Sequence, residues 1–308
     1  MKKSILILSL NILIINGLRS QSNFYEPADS FNKKRFNTIL IGGAVGYTGT
    51  VLVLNKVWYS DYPQSSFHLF DDLGEWENMD KYGHVLSAYV ETKWAYELYR
   101  WAGVKNRRAA WFGMLTGTVL QSTLEVMDGF SEQWGFSLGD MTANTAGCAL
   151  FGLQQAAWDE QRILLKVSNF PKNYSQNAIS GTTLTEKSEG KRLYGDNYAL
   201  TFFKDYNAIN WWLSANPRSF MKNSNFPSWL NIAFGHSAEN VFGAYGNPAG
   251  FPTRYRQYFL SFDVDLTKIK TKNKFLKSLL GTLNFIKIPA PTLEYNSQGQ
   301  WKFHPIMF

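Results

Sequence analysis

A chain of 308 residues is long enough for two domains, and its net charge of +7 is unevenly placed. Residues 1–158 carry 13 Lys/Arg against 14 Asp/Glu, whereas residues 159–308 carry 18 against 10. On an exported chain such a basic half points to anionic lipid headgroups, glycans or plain solvent, and away from nucleic acid.

The first twenty residues read as a signal peptide: Met1-Lys2-Lys3 is a basic lead, Ser4 to Leu18 an apolar core, and Arg19-Ser20-Gln21 a polar exit. No cysteine lies near that exit, so a lipoprotein anchor is not expected there. The one cysteine, Cys148, sits in a Gly/Ala-rich run, which excludes an intrachain disulfide and suggests a buried thiol. An aromatic content of 16% must therefore supply the core.

Residues 21–36 form a polar, basic lead-in. Thr38 to Leu54 is free of charge, and Gly42 and Gly46 are spaced for close helix approach. This run suits either a membrane span or the central helix of a soluble bundle. After an aromatic, Asp-rich loop (58–78), a second helix is predicted from Asn78 or Asp80, as N-cap, to Trp101. A third runs from Ala109 to Met127 with Gly113 and Gly117 four apart. Ser137 and Asp140 make a capping box that opens a fourth helix ending at Trp158.

Beyond Asp159 the pattern changes to strands at 163–168, 198–203 and 255–266, with a basic amphipathic helix over 268–287 and an extended aromatic end over 292–308. Trp211-Trp212 and 227–230 read as aromatic loop or edge elements. A terminal Phe308 suits an outer-membrane barrel, but the clean ten-residue strands are too few to close one. The fold class expected is α+β: a four-helix bundle over 37–158, then a basic, aromatic, strand-containing half over 159–308.

The chemistry concentrates in the helices. Helical spacing puts Asp80, His84 and Glu91 near one face, stacks Gln121, Glu125 and Asp128 on the third helix, and pairs Asp140 with Asn144 on the fourth. Buried carboxylates are costly unless paired, so convergence of these faces requires a reason. One is a closed hydrogen-bond network with Lys81 and His84 that fixes helix register. A second is an acid–base or metal site in which His84 works with Glu125 or Asp128. The third is that Asp80 and Asp140 are only caps and the groups never meet. One histidine is thin ligation for zinc, and no EF-hand, P-loop, nucleophile elbow or dinucleotide fingerprint is present. No cofactor is expected. His68, His236 and His304 are read as surface or packing residues in loops or edges.

The series Asp80-Lys81-x-Gly83-His84, Glu91, Glu125-x-x-Asp128-Gly129, Ser137-x-x-Asp140-x-x-x-Asn144-x-x-Gly147 resembles the uncharacterised bacterial envelope family typified by the YfiM lipoprotein, over residues 38–158. More distantly it is similar to VanZ-like membrane proteins, which share the Asp-Lys-x-x-His helix start and a later Asp-x-x-x-Asn-x-x-Gly helix. The second half is similar to extensions in Bacteroidetes members. The resemblance implies a helical bundle at the periplasm or outer membrane of a Gram-negative bacterium, and it carries no activity. A mean hydropathy of −0.25 is low beside VanZ-like proteins. The expected role is non-enzymatic, at a membrane surface or with an envelope protein partner. The alternative is a hydrolase or transferase on a lipid-linked or glycan substrate, with His84 as base and Glu125 or Asp128 as acid or ion ligand.

Overall fold

The computed structural model describes residues 26–56, 62–197, 201–202, 204–221 and 225–307. The expected signal peptide and Phe308 lie outside them. Helix α1 (Lys33–Leu54) is followed by α2 (Met79–Trp101), α3 (Asn106–Asp128) and α4 (Leu138–Trp158). The remaining elements are β1 (Ile163–Asn169), α5 (Glu186–Tyr194), β2 (Ile209–Ala215), β3 (Leu230–Glu239), β4 (Tyr255–Val264), α6 (Lys274–Leu283), β5 (Ala290–Asn296) and β6 (Trp301–Met307). The fold is mixed α+β.

Helices α2, α3 and α4 pack on one another through small residues. A Cβ at Gly147 would lie 2.2 Å from the Val85 carbonyl oxygen, and one at Gly113 2.8 Å from that of Thr92, so the helix backbones nearly touch. Cys148 is buried at the same seam, with Sγ 3.8 Å from the Ala88 carbonyl. α1 behaves differently. It buries none of its residues, and nothing lies within 4 Å of a Cβ built at Gly42 or Gly46. The glycine spacing that suggested close approach therefore marks no contact. α1 is tied down at its start by Arg35, which donates to the Trp101 carbonyl at 3.0 Å, and by a bond between Tyr47 and Thr123 at 2.6 Å.

The strands form one antiparallel meander in the order β1-β2-β3-β4-β5-β6. The chain just before β5 returns to the free edge of β1, where Val167 N–H donates to the Phe285 carbonyl at 2.8 Å and Lys287 N–H to the Val167 carbonyl at 2.9 Å. The sheet thereby curls around an interior that is strongly polar. Lys166 pairs with Asp263 at 2.8 Å inside it, and Ser214 donates to the same carboxylate at 2.6 Å. Asn231 donates to Ser214, Trp212 Nε1–H to Ser168, and the Lys287 ammonium lies 4.4 Å from the Trp212 ring centre.

Several expectations change here. Thr201, Phe202 and Lys204 are helical rather than strand, and 198–200 and 203 lie outside the described residues. Trp211 and Trp212 occupy the middle of β2, an inner strand, not a loop or edge. Residues 230–239 form β3, also an inner strand, which carries His236. The predicted helix over 268–287 is confined to α6, because residues 285–287 extend to pair with β1.

The two parts of the chain share their cores. Met79 with Trp76 packs against Ala238, Val241, Tyr206 and Trp211. Tyr89, Val90 and Phe151 of α2 and α4 pack against Leu165 and Phe285.

Candidate functional site

The start of α2 is set by an unusual turn. Gly74, Trp76, Glu77 and Asn78 all have positive φ, +88°, +51°, +57° and +62°, a left-handed run that costs energy at each non-glycine residue. Contacts from far along the chain hold it. Trp76 N–H donates to the Ala244 carbonyl at 2.8 Å, and the Glu77 carboxylate meets Arg256 at 2.9 Å and Arg254 at 3.6 Å. Asn78 stands in the N-cap position without capping α2, because its side-chain oxygen accepts from Gly74 N–H at 2.8 Å instead. Asp80 lies inside the first turn rather than at the cap.

Placed this way, α2 points Asp80, Lys81 and His84 at the start of α4. The Lys81 ammonium sits 2.6 Å from Asp72, 2.6 Å from Asp140 and 3.5 Å from Asp80. Ser137 caps α4, accepting from Asp140 N–H at 3.0 Å and donating its hydroxyl proton to Asp72 at 2.6 Å. Half of the expected capping box therefore forms, and the Asp140 carboxyl turns to Lys81 and His84. His84 Nε2 is 3.7 Å from Asp80 and 3.5 Å from Asp140, while Nδ1 is 3.1 Å from the Asn144 side-chain oxygen and 3.5 Å from Glu125. Asn144 donates to Glu125 at 3.4 Å, and Tyr206 closes the opposite side by donating to Asp80 at 3.1 Å.

The faces predicted to meet do meet. Asp80, Lys81, His84, Glu125, Asp140 and Asn144 form one cluster. Glu91 lies deeper on α2 and accepts from Gln121 at 2.9 Å, and Asp128, half-buried at the end of α3, acts on Glu125 through its charge. Asp72 and Tyr206 are members that periodicity could not supply. Asp72 belongs to an irregular loop, and Tyr206 comes from the second half of the chain. A readable signal for Asp72 was its place in an acidic loop just before the Asp80-Lys81 start.

Burial decides the protonation of these groups. Glu125 is 1% exposed, and desolvation pushes its carboxyl up to about 8 although His84 pulls it down. Desolvation likewise pushes Asp140 and Glu91 up to about 7. For His84, burial works toward the neutral form, but the charges of Asp80, Asp140 and Glu125 outweigh it and raise the imidazole above its ordinary value. Asp72 moves the other way: burial would raise it, yet hydrogen bonds from the Asp140 carboxyl, Lys81 and Ser137 hold it ionised below the usual range. Glu125 Oε2 has no hydrogen-bond partner among the described residues, which a neutral carboxyl tolerates far better than a carboxylate.

Asp80, His84 and Asp140 present three ligand atoms within 4.8 Å of one another, enough in principle to begin a metal site. The Lys81 ammonium already occupies the cation position among these carboxylates, so an ion would have to displace it. The arrangement is self-neutralising. A surface pocket of about 230 Å³ opens elsewhere, between Asn55, Tyr62, Gln64, Met127 and Phe130, rather than over His84. Of the other histidines, His236 packs against the Tyr82 ring at 4.8 Å, His304 pairs with Glu294 at 2.6 Å, and His68 stays in its loop beside Ser65.

Residues 69–156 match the model of a family described as a predicted periplasmic lipoprotein (DUF2279). This stretch holds nearly the whole cluster and is well under half of the chain. The match supports an uncharacterised protein exported to the cell envelope. Comparison with curated proteins and with solved structures returns no match. The lipid of a lipoprotein is not carried by Cys148, which is buried between α2 and α4.

Proposed function

We propose that this chain is a non-enzymatic envelope protein that works at a membrane surface, and that its polar cluster is a structural lock joining the helices to the sheet. The observation that carries this reading is the Lys81 ammonium, held at 2.6 Å from both Asp72 and Asp140, which supplies from within the chain the cation a ligand site would leave open. α1 supports the membrane part: 22 residues, long and apolar enough to cross a bilayer, with no residue buried. The motif likeness to YfiM-type and VanZ-like proteins fits the same placement, at the periplasm or outer membrane. If the cluster is a lock, His84→Ala and Glu125→Ala lower folding stability and cellular function together. Two fully stable variants that abolish a cellular phenotype would sink the idea. Fractionation of the host with an alkaline carbonate wash tests the location, and recovery of the protein wholly in the soluble periplasm would remove the membrane role.

One observation favours a second reading, a hydrolase or transferase acting on a lipid-linked or glycan substrate. A carboxyl held near 8 beside an imidazole is a proton donor tuned for neutral pH. Its access is through Asp80 and His84, whose side chains are 34% and 20% exposed, since Glu125 itself is sealed. Unchanged folding of Glu125→Gln together with total loss of function would favour this reading over the lock.

A further inference from the structure

The sheet is amphipathic in the reverse sense to that of a soluble protein. Its inward side chains include Lys166, Asp263, Ser214, Asn231, Thr292 and Glu294, all buried, beside the apolar cluster of Trp212, Ala233 and Phe259. Its outward side chains are large and apolar. The strand register lines them up: Leu213 lies opposite Phe234, Phe234 opposite Leu260, Leu260 opposite Leu293, and Leu293 opposite Phe303. All five are exposed, Phe234 by 60% and Phe303 by 65%. One step along the strands a second row joins His236, Tyr258, Tyr295 and Trp301, of which the last three are exposed and His236 is covered by Tyr82. Phe262 continues the apolar surface on the other side of the leucine and phenylalanine row.

At strand spacings the patch from Tyr258 to Phe262 and from β2 to β6 measures roughly 14 by 19 Å, a contiguous area aligned by strand register rather than single scattered side chains. Its borders identify the occupant. On one side the leucine and phenylalanine row gives way to the tyrosine and tryptophan row and then to Arg256, which also pairs with Glu77, the order found where protein crosses from hydrocarbon to headgroups. On the other side β4 runs into Lys268, Lys270, Lys272, Lys274 and Lys277 with no acidic residue among them. These lysines surround the exposed Phe275, Leu276 and Leu279 of α6, a basic amphipathic helix. A protein partner would meet few hydrogen-bonding groups here, whereas an anionic lipid surface meets apolar side chains ringed by aromatic and cationic ones.

We infer that the outer face of β3–β6 lies face-down on an anionic phospholipid membrane, with the leucine and phenylalanine row in the hydrocarbon layer and the tyrosine and tryptophan row and lysine segment at headgroup level. This rests on the membrane-surface reading above and names the surface. The test uses the full chain with vesicles of phosphatidylethanolamine and phosphatidylglycerol. An environment-sensitive fluorophore is placed on Phe234→Cys, Phe303→Cys or, as a control on an exposed loop, Gln176→Cys; Cys148 is buried and does not compete for label. Doxyl-labelled lipid is expected to quench the first two labels severalfold more than the third. In the triple variant F234Q/L260Q/F303Q, which changes only exposed side chains, a label on Trp301→Cys is expected to lose that quenching. Vesicle flotation without selective quenching would overturn the surface assignment and leave the membrane role standing, held by α1. Absence of flotation would overturn both. A label shielded from aqueous iodide but not quenched by lipid, with a doubled mass in solution, would assign the face to a second copy of the chain instead.

Discussion

Glu125 and its neighbours titrate in the range where an envelope protein lives. The folded chain holds a proton on Glu125 up to about pH 8 and on Asp140 and Glu91 up to about pH 7, while the unfolded chain releases each near its ordinary value of 4.5 or 3.8. Their stabilising contribution is therefore complete below the unfolded values and lost as pH rises through the folded ones. His84, raised above its ordinary value, has the same sign: its contribution is present below about 6.5 and declines as pH passes the folded value. Stability is expected to fall by a few kcal/mol between roughly pH 5 and 8, and Glu125→Gln is expected to flatten that fall. Denaturant melts across this range check it, and a flat or rising wild-type profile would contradict the protonation pattern. At Lys81 the expected effect is larger. Lys81→Met strands Asp72, Asp80 and Asp140 around an apolar chain and is expected to cost on the order of 3 kcal/mol. Adding Asp72→Asn should restore part of the loss, so that the double variant is more stable than the sum of the singles. Strict additivity would mean that the ammonium is not the hub. The cluster was legible in sequence as far as helical periodicity reaches: the spacings 80/84, 121/125/128 and 140/144 put their side chains on faces that do converge. Tyr206 was not legible, because a residue 126 positions from its partner has no period to follow, and Asp72 showed only as part of an acidic loop.

At the scale of elements, the same four-residue glycine spacing has opposite meanings in different helices. Gly113, Gly117 and Gly147 sit where backbones meet, whereas Gly42 and Gly46 face open space. Gly147→Ala would drive a methyl group to 2.2 Å from the Val85 carbonyl oxygen, and backbone on both sides has little room to yield. A loss of about 3 kcal/mol is expected, at the upper end for overpacking. Gly46→Ala is expected to leave the melting temperature unchanged or slightly raised, since alanine favours the helix by about 1 kcal/mol and meets nothing. Thermal melts of the two variants decide the point, and an equal loss in both would show α1 packed into the body. Strands were less readable than helices for a physical reason. β2 and β3 carry Asn210, Ser214 and Asn231 inside and Leu213 and Phe234 outside, so their alternation does not mark an apolar inner face. The Gly235-His236 pair within β3 further hid a strand that the structure places between two partners.

For the molecule as a whole, the change of character near Asp159 divides the sequence more sharply than it divides the structure. Two hydrophobic clusters draw residues from both sides of that position. The left-handed turn before α2 is held in its costly conformation by Ala244, Arg254 and Arg256 of the second half, and it in turn aims Asp80, Lys81 and His84. A lock whose parts come from both halves cannot form in one half alone, so folding of the helices and of the sheet is linked. The intact chain is expected to unfold in a single transition, with the far-ultraviolet signal of the secondary structure and the fluorescence of a label on Phe234→Cys in the sheet moving together. Glu77→Ala releases the turn and is expected to lower that common midpoint, at a cost of about 1 kcal/mol given the partial exposure of Arg256. Two resolved transitions, with Glu77→Ala shifting only one of them, would mean that the halves are independent and that the polar cluster serves the helices by themselves.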